Sequence, residues 1–527
     1  MKHIIGLSLL IISFCTTMQA QRNSFLVKPY LQDAEPTSII IKWETEFDGE
    51  STVEWGLTAK LGNKTTGNSN KVNFGESRLH EVQLTGLKRF TTYYYRVKTG
   101  KLKSDILQFK TPPFSGEAAS FNLIAMSDMQ IDRSQPDKFS EVVNEGILNY
   151  LEQQFGGKVP DNLALVMIPG DLVAQGSDYK QWQTDFFRPS EKLFSQVPVY
   201  PVPGNHEQNS QFFFKYFSLP ENGDPAYAEH WWYKDYGNVR IIGLDSNKGY
   251  RDMREQYEWL KQVLKDTEEE EDIDFVFAQL HHPYKSELWI PGEEETTGKV
   301  VKMLETFSDK TGKPSIHFFG HTHGYSRGQS RDHNHLWVNV ASAGGALDNW
   351  GEFEGRDYDE FTVTQDEYGF VMVNVDPNPA DPKISLKRIS RGNVQNPKDN
   401  TVTDSITVYK INQKPDAPVG IAPKEESLPI TAITLKASPF SGGRVSSKHT
   451  ASHWQVSTTT NFEKPVTDSW KQNENWYYEE NRQKGDDLTD EDLSRLHPST
   501  TYYWRVRYRD QYLGWSDWSD VLTFKTN

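Results

Sequence analysis

Between residues 116 and 412 the chain repeats one pattern: a short run of branched or aromatic residues halts at a cluster of ligand-type side chains. Phe121 to Met126 stops at Ser127-Asp128-Met129-Gln130. Leu163 to Ile168 stops at Pro169-Gly170-Asp171. Val197 to Val202 stops at Pro203-Gly204-Asn205-His206-Glu207. Phe275 to Leu280 stops at His281-His282-Pro283, and Ser315 to Phe319 at Gly320-His321-Thr322-His323. Runs of this length closed by Gly, Pro or Asp predict buried strands. Between them, Phe139, Val143, Ile147 and Leu151 are spaced for one helix face, as are Met253, Tyr257, Leu260 and Leu264. The acidic run Glu268 to Asp272 reads as a solvated connection. Strand alternating with helix predicts an α/β sheet, in which ligands gather beyond the carboxyl ends of the strands. All five clusters are expected at that edge.

The two ends of the chain repeat each other. Residues 84–98 align without a gap with 493–507, and each copy is followed by Phe-Lys-Thr, at 109–111 and 524–526. Alternation through Tyr93 to Lys98 predicts a half-buried strand. The Leu-x-x-Leu turn before a Tyr-rich strand resembles the tyrosine corner of fibronectin type III domains, in which a Tyr hydroxyl ties back to the preceding turn. Two all-β sandwiches are therefore expected, over 21–115 and 416–527, with Trp43 and Trp454 as core anchors. The second carries Trp515-Ser516-Asp517-Trp518-Ser519 near Arg505, Arg507 and Arg509. That box resembles the one in cytokine-receptor fibronectin domains, and it is read as a structural Arg/Trp ladder on a sheet face. The outer domains also offer surfaces for cell-surface or glycan contacts.

Residues 1–20 have a basic start, an apolar run from Ile4 to Phe14 and a polar stretch ending at Ala20. This is the order of a cleaved secretory signal peptide, so a secreted or periplasmic protein is expected. The apolar run falls short of a membrane span, and no transmembrane segment is expected elsewhere. Cleavage would remove Cys15, the single cysteine, and disulfide staples are excluded. The formal net charge of −16 argues against a nucleic-acid polymer as partner. It leaves room for a small anionic substrate wherever local cations reverse the field.

Taken singly, each middle cluster is a weak signal; all five in this order are specific. The series Asp-x-Gln, Gly-Asp, Gly-Asn-His-Glu, His-x-Pro and Gly-His-x-His resembles the calcineurin-like metallophosphoesterases. With a fibronectin-like domain in front, it resembles purple acid phosphatases in particular. The resemblance covers 21–412 and leaves out the C-terminal domain. It implies a four-layer α/β/β/α sandwich over 116–412 with two metal ions at one edge. Asp171 would bridge them. One metal would take Asp128, Gln130, Asp171 and His323; the other would take Asp171, Asn205, His281 and His321. Mixed His and carboxylate ligation suits Fe, Zn or Mn. Such a pair clamps in-line displacement at phosphorus and makes hydroxide available near neutral pH. By the same resemblance, His206 contacts phosphate and protonates the leaving oxygen, with Glu207 orienting it. Asn205 also faces substrate.

Two positions depart from the family pattern. Ala174 stands where purple acid phosphatases carry the iron-binding Tyr, so no tyrosinate-to-iron colour is expected, and Tyr179 has the wrong spacing. Gln130 stands where His is common, and its amide oxygen can still ligate a hard metal. Among the neighbours, His282 either faces phosphate or packs, and Tyr325 and Arg327 are candidates for holding substrate oxygens. Ser342 to Gly345 lacks a P-loop Lys and reads as a strand-end turn. His333 and His335 read as surface residues of a turn, and Trp231-Trp232-Tyr233 as core or pocket wall. The function expected is an exported dinuclear phosphatase acting on phosphate monoesters. The alternatives are a phosphodiesterase on the same site and a surface-binding protein with a non-catalytic phosphoesterase domain.

Overall fold

The computed structural model describes residues 24–527 apart from 74, 76, 250–252, 350, 354–355, 431–432 and 478–479. The signal-peptide reading of residues 1–20, with Cys15, falls outside them. Among the described residues no helix is long and apolar enough to cross a membrane.

The strand-forming runs pair as their periodicity predicts. In the middle of the chain, Phe121–Ala125 lies parallel to Leu165–Ile168, which lies parallel to Val199–Pro201. Three antiparallel strands, Tyr368–Asp376, Lys383–Gly392 and Pro397–Tyr409, extend that sheet on its other side. A second sheet has seven strands. Its parallel centre is Val239–Gly243, Phe275–Gln279, Ser315–Phe319 and His335–Asn339. All five strands that end in ligand-type residues are thus parallel members of these two sheets.

Side chains of Phe275–Gln279 divide by parity, as a strand buried on both faces requires. Phe275 and Phe277 join a core with Leu123, Val166 and Val373 of the first sheet. Val276 and Ala278 join a separate core with Tyr257, Leu260, Leu264 and Leu304. Those last residues lie on the helices Met253–Glu268 and Glu295–Thr311. The apolar face Phe139, Val143, Ile147 and Leu151 packs into the first core from helical residues 138–155. The middle of the chain is therefore a mixed α/β fold.

The β-rich N-terminal unit has its own core around Trp43, Tyr95 and Phe109. It is also welded to the middle: Val27, Tyr30, Val72 and Leu79 belong to the α/β core. Tyr30 and Tyr95 donate their hydroxyls to the carbonyls of Tyr216 and Ser195, at 2.6 and 2.7 Å. The C-terminal unit packs around Trp454, Trp504 and Tyr502.

The sequence repeat carries a repeated hydrogen-bond set. The Tyr93 hydroxyl accepts from the Lys88 amide at 2.8 Å, and Tyr502 accepts from the His497 amide at 2.8 Å. Thr111 and Thr526 donate their hydroxyls to the carbonyls of Lys88 and His497. The Arg/Trp ladder also forms: Arg505 lies 4.1 Å over Trp518, and Arg507 lies 4.5 Å over Trp515. Part of its face is taken up by the middle domain. The Trp515 indole donates to the Arg331 carbonyl at 2.6 Å, Arg509 donates to the Ser330 carbonyl, and Arg507 pairs with Asp332. The ladder docks on a turn of the middle domain.

Candidate metal centre

Strand ends deliver the candidate ligands through left-handed backbone. Asp128, Asp171 and His321 have φ of 61°, 54° and 71°. Non-glycine residues adopt this region at a cost, and such strain gathers at functional sites. Close approach makes a second demand. A Cβ on Gly204 would lie 2.2 Å from Asp171 Oδ1, and one on Gly320 would lie 2.4 Å from Asp128 Oδ2. The glycines of Gly-Asn-His-Glu and Gly-His-x-His are there because ligands occupy the space of a side chain.

Seven side chains meet in two joined groups. In the first, His281 Nε2 is 2.9 Å from Asn205 Oδ1, 3.2 Å from Asp171 Oδ2 and 3.2 Å from His321 Nδ1. Ligand atoms of Asp171, His281 and His321 all lie within 4.8 Å of one another. In the second group, His323 Nε2 is 3.2 Å from Asp128 Oδ1. Gln130 joins the two, its Nε2 being 3.3 Å from both Asp171 Oδ2 and His323 Nε2.

The donor arithmetic fits a cation. His281 Nδ1 lies 2.9 Å from the Pro169 carbonyl, which can only accept, so Nδ1 carries a proton. Nε2 then points at an amide oxygen and a carboxylate, an arrangement that needs a positive charge between them. His323 repeats this, with Nδ1 2.6 Å from the Ala346 carbonyl and Nε2 on Asp128. Burial opposes the charged form of both rings. The Asp171 carboxylate overcomes this at His281 and the Asp128 carboxylate at His323, lifting each to about 9. Burial and then the neighbouring His281 charge push His321 and His282 down to about 3. Gln130 Oε1 is buried with no partner among the described residues. Exchanging the two ends of that amide would aim the oxygen at Asp171 and His323 as a metal ligand. The residues present therefore fit metal ions.

A frame of hydrogen bonds fixes the ligands. Glu207 is fully buried and accepts from the amides of Gly204, Asp171 and Leu172 at 2.7, 2.9 and 2.8 Å. It therefore clamps two ligand loops together and does not touch the His206 ring. Asp128 accepts from Ser127 Oγ at 2.6 Å and from the His321 amide at 3.1 Å. Behind the site, the Gly345 amide donates to the Asp128 carbonyl, and the glycine packs against His323 and Gln130. The turn at 342–345 thus floors the cluster, a role without a signal in its composition.

At the rim, the His206 ring is 40% exposed while Asp171 is 1% exposed. Its Nδ1 lies 2.7 Å from the Ala174 carbonyl, and its Nε2 is 3.8 Å from Asp171 Oδ2. Ala174 thus orients His206 through its backbone. Tyr179 turns away, donating to Glu44 and Ser77 of the N-terminal unit. His282 stands beside His321 with ring centroids 4.5 Å apart, its Nδ1 2.8 Å from Ser246 Oγ. Ser246 and Trp289, whose ring lies 5.2 Å from His321, are neighbours that no motif indicated.

Three sequence readings are corrected. Tyr325 and Arg327 do not face substrate: both are buried in the strand Tyr325–Gln329 and spend their donors on Asp404, at 2.6 Å. His335 is not a surface residue. It is fully buried in a strand, stacked on His317 at 5.0 Å and bonded to Ser315 Oγ. Its neighbour His333 does sit on the surface side, paired with Asp309. Trp231 and Trp232 are core.

Two stretches of the chain match known protein families. Residues 121–325 match the calcineurin-like phosphoesterase family, and residues 27–111 match the purple acid phosphatase N-terminal domain. Purple acid phosphatase 15 of Arabidopsis thaliana is 24% identical over 334 residues, 58% of this chain and 60% of that protein. A probable inactive purple acid phosphatase 27 of the same plant is 26% identical over 273 residues, 47% of this chain and 44% of that one. The chain thus spans less than two thirds of the length of these curated relatives. Among solved structures, the purple acid phosphatase PPD1 of yellow lupin (Lupinus luteus) superposes with a TM-score of 0.57 at 18% identity. The match covers 74% of this chain and 75% of that one.

Proposed function

Because this chain carries a calcineurin-like metallophosphoesterase domain behind a purple acid phosphatase N-terminal domain, we propose that it hydrolyses phosphate monoesters at a two-metal centre. Asp128, Gln130, Asp171 and His323 would hold one ion, and Asp171, Asn205, His281 and His321 the other. Bound there, two ions of the Fe, Zn or Mn type would neutralise phosphate charge and supply an activated water. The observation that carries the reading is the convergence of His281 Nε2 on Asn205, Asp171 and His321 with its other nitrogen spent on a carbonyl.

The protein's own residues account for the rest. Asp128, Gln130, Asp171 and His281 are buried, whereas His206 stands at the mouth with Nδ1 held by Ala174, leaving Nε2 to give a proton to the leaving oxygen. Ser246 fixes the His282 ring at the same mouth, where it donates to a phosphate oxygen. Ala174 leaves no phenolate for iron, so the loaded protein shows no tyrosinate-to-iron charge-transfer band. Residues 1–20 direct export and are removed. The test is hydrolysis of p-nitrophenyl phosphate against bis(p-nitrophenyl) phosphate, with and without chelator, by the wild type and Asp171→Ala. Chelator-sensitive monoester cleavage lost in Asp171→Ala is expected. A preference for the diester overturns the monoester reading, and failure on both esters overturns the hydrolase.

A further inference from the structure

The C-terminal unit reaches the metal centre through one short relay. Its Asn475 and Gln472 are buried at the domain boundary. Asn475 donates to Asp357 Oδ1 at 2.9 Å, and Arg482 donates to the other oxygen of the same carboxylate at 2.9 Å. Gln472 donates to the Asp359 carbonyl at 2.7 Å. Tyr358, held between these two anchors, passes the contact on. Its amide donates to Glu287 at 2.9 Å and its hydroxyl to Glu293 at 2.8 Å. Glu293 in turn accepts from the Ser286 amide at 2.9 Å, closing the segment 286–293 into a loop. Lys285 adds a 2.6 Å ion pair with Glu360.

That loop follows His281 and His282 directly and carries Trp289. The indole is partly exposed and packs on Gly292 and the His321 ring; a Cβ on Gly292 would lie 2.8 Å from both rings. Trp289 is thus an aromatic wall beside the cluster, carried by a loop whose outer side is tied to Tyr358 and, at Glu287, also to Thr364. Removing one hydrogen bond that ties a loop to its neighbour raises local opening there.

We propose that the C-terminal domain is a brace for substrate selection. Through Tyr358 as positioning residue, it holds the Trp289 wall where an aryl leaving group stacks on it. This rests on the phosphatase reading for its kinetic part and on geometry alone for its structural part.

The test uses the full chain as Tyr358→Phe, which keeps the ring and removes only the hydroxyl, and as Gln472→Ala/Asn475→Ala. Hydrogen exchange over 284–294 is measured beside KM and kcat for p-nitrophenyl phosphate and glycerol 2-phosphate. Loss of one such hydrogen bond is expected to speed exchange over 284–294 by about tenfold in either variant. KM for the aryl ester rises by about tenfold, while kcat and the glycerol ester change by less than about twofold. Wild-type exchange in Tyr358→Phe overturns the brace. Faster exchange with an unchanged aryl KM overturns the selection role. If the double variant loses its C-terminal fold, Tyr358→Phe decides alone. If the wild type cleaves neither ester, the phosphatase reading falls and exchange still decides the brace.

Discussion

Gly204→Ala tests the geometry of the centre with one methyl group. The new Cβ would lie 2.2 Å from Asp171 Oδ1 and 2.5 Å from the Asp171 amide nitrogen. Rotating the Asp171 side chain relieves only the first contact, because the second is backbone. Reaching ordinary van der Waals contact then requires the 170–171 and 204–206 loops to separate by about 1 Å. Three hydrogen bonds cross that gap. Glu207 accepts from the amides of Asp171 and Leu172, and the His206 amide donates to Asp171 Oδ1 at 2.9 Å. Weakening them costs about 1–3 kcal/mol apiece. A 1 Å displacement of reacting geometry lowers turnover by about 10²-fold, and loss of the frame around ligands lowers metal affinity by about 10–100-fold. The assay is metal content after dialysis together with kcat/KM on p-nitrophenyl phosphate. Gly75→Ala serves as control, since its Cβ would meet nothing within 4 Å. Wild-type metal content and kcat/KM within about twofold in Gly204→Ala would refute the close-approach argument.

His206→Asn should lower kcat by about 10²–10⁴-fold at unchanged metal content, since the ring is placed for proton transfer and not for ligation; loss of metal in that variant would reassign it. Arg327→Leu leaves Asp404 buried without its cation and should cost about 3 kcal/mol or more of stability in urea titrations, with an unchanged KM; a raised KM at full stability would return Arg327 to the substrate. The stacked His317 and His335 are depressed by burial, His317 to about 3 and His335 well below its usual range. The folded protein keeps both neutral while the unfolded chain takes up protons below about pH 6.5, so stability falls as pH drops from there towards 3. The slope is up to about 1.4 kcal/mol per pH unit for each ring. His317→Leu should remove one proton from the uptake on unfolding, and an unchanged pH slope would sink the assignment.

The candidate ligands were legible because each is tied to local pattern: a hydrophobic run sets a strand, its closing Gly or Pro sets the edge, and the next polar residue has one place to go. Asp128, Asp171, His281 and His321 stood out together, because the five strand-end clusters occur in one order along the chain. Tyr325 and Arg327 misled for the same reason. They follow His323 closely, but both lie on one face of the strand Tyr325–Gln329, and that face meets Asp404, 77 residues beyond Arg327. His335 looked like a turn residue among Asp332, His333 and Asn334. Its burial comes from pairing with Ser315–Phe319, which composition does not report.

By itself the sequence determined the order of strands and helices, the repeated tyrosine corner, and the identity of the ligand-type residues, since all of these depend on spacing within about ten positions. Tertiary structure alone decided which of those residues meet, that Glu207 clamps two loops and does not orient His206, and that the Arg/Trp ladder docks on residues 330–332. It also decided that Tyr358, between the C-terminal contacts of Asp357 and Asp359, bonds the loop carrying Trp289. The physical reason is common to all four. Each is a contact between distant segments, fixed by which faces must be buried and which buried polar groups must find partners, and neither condition can be evaluated until the whole chain has folded.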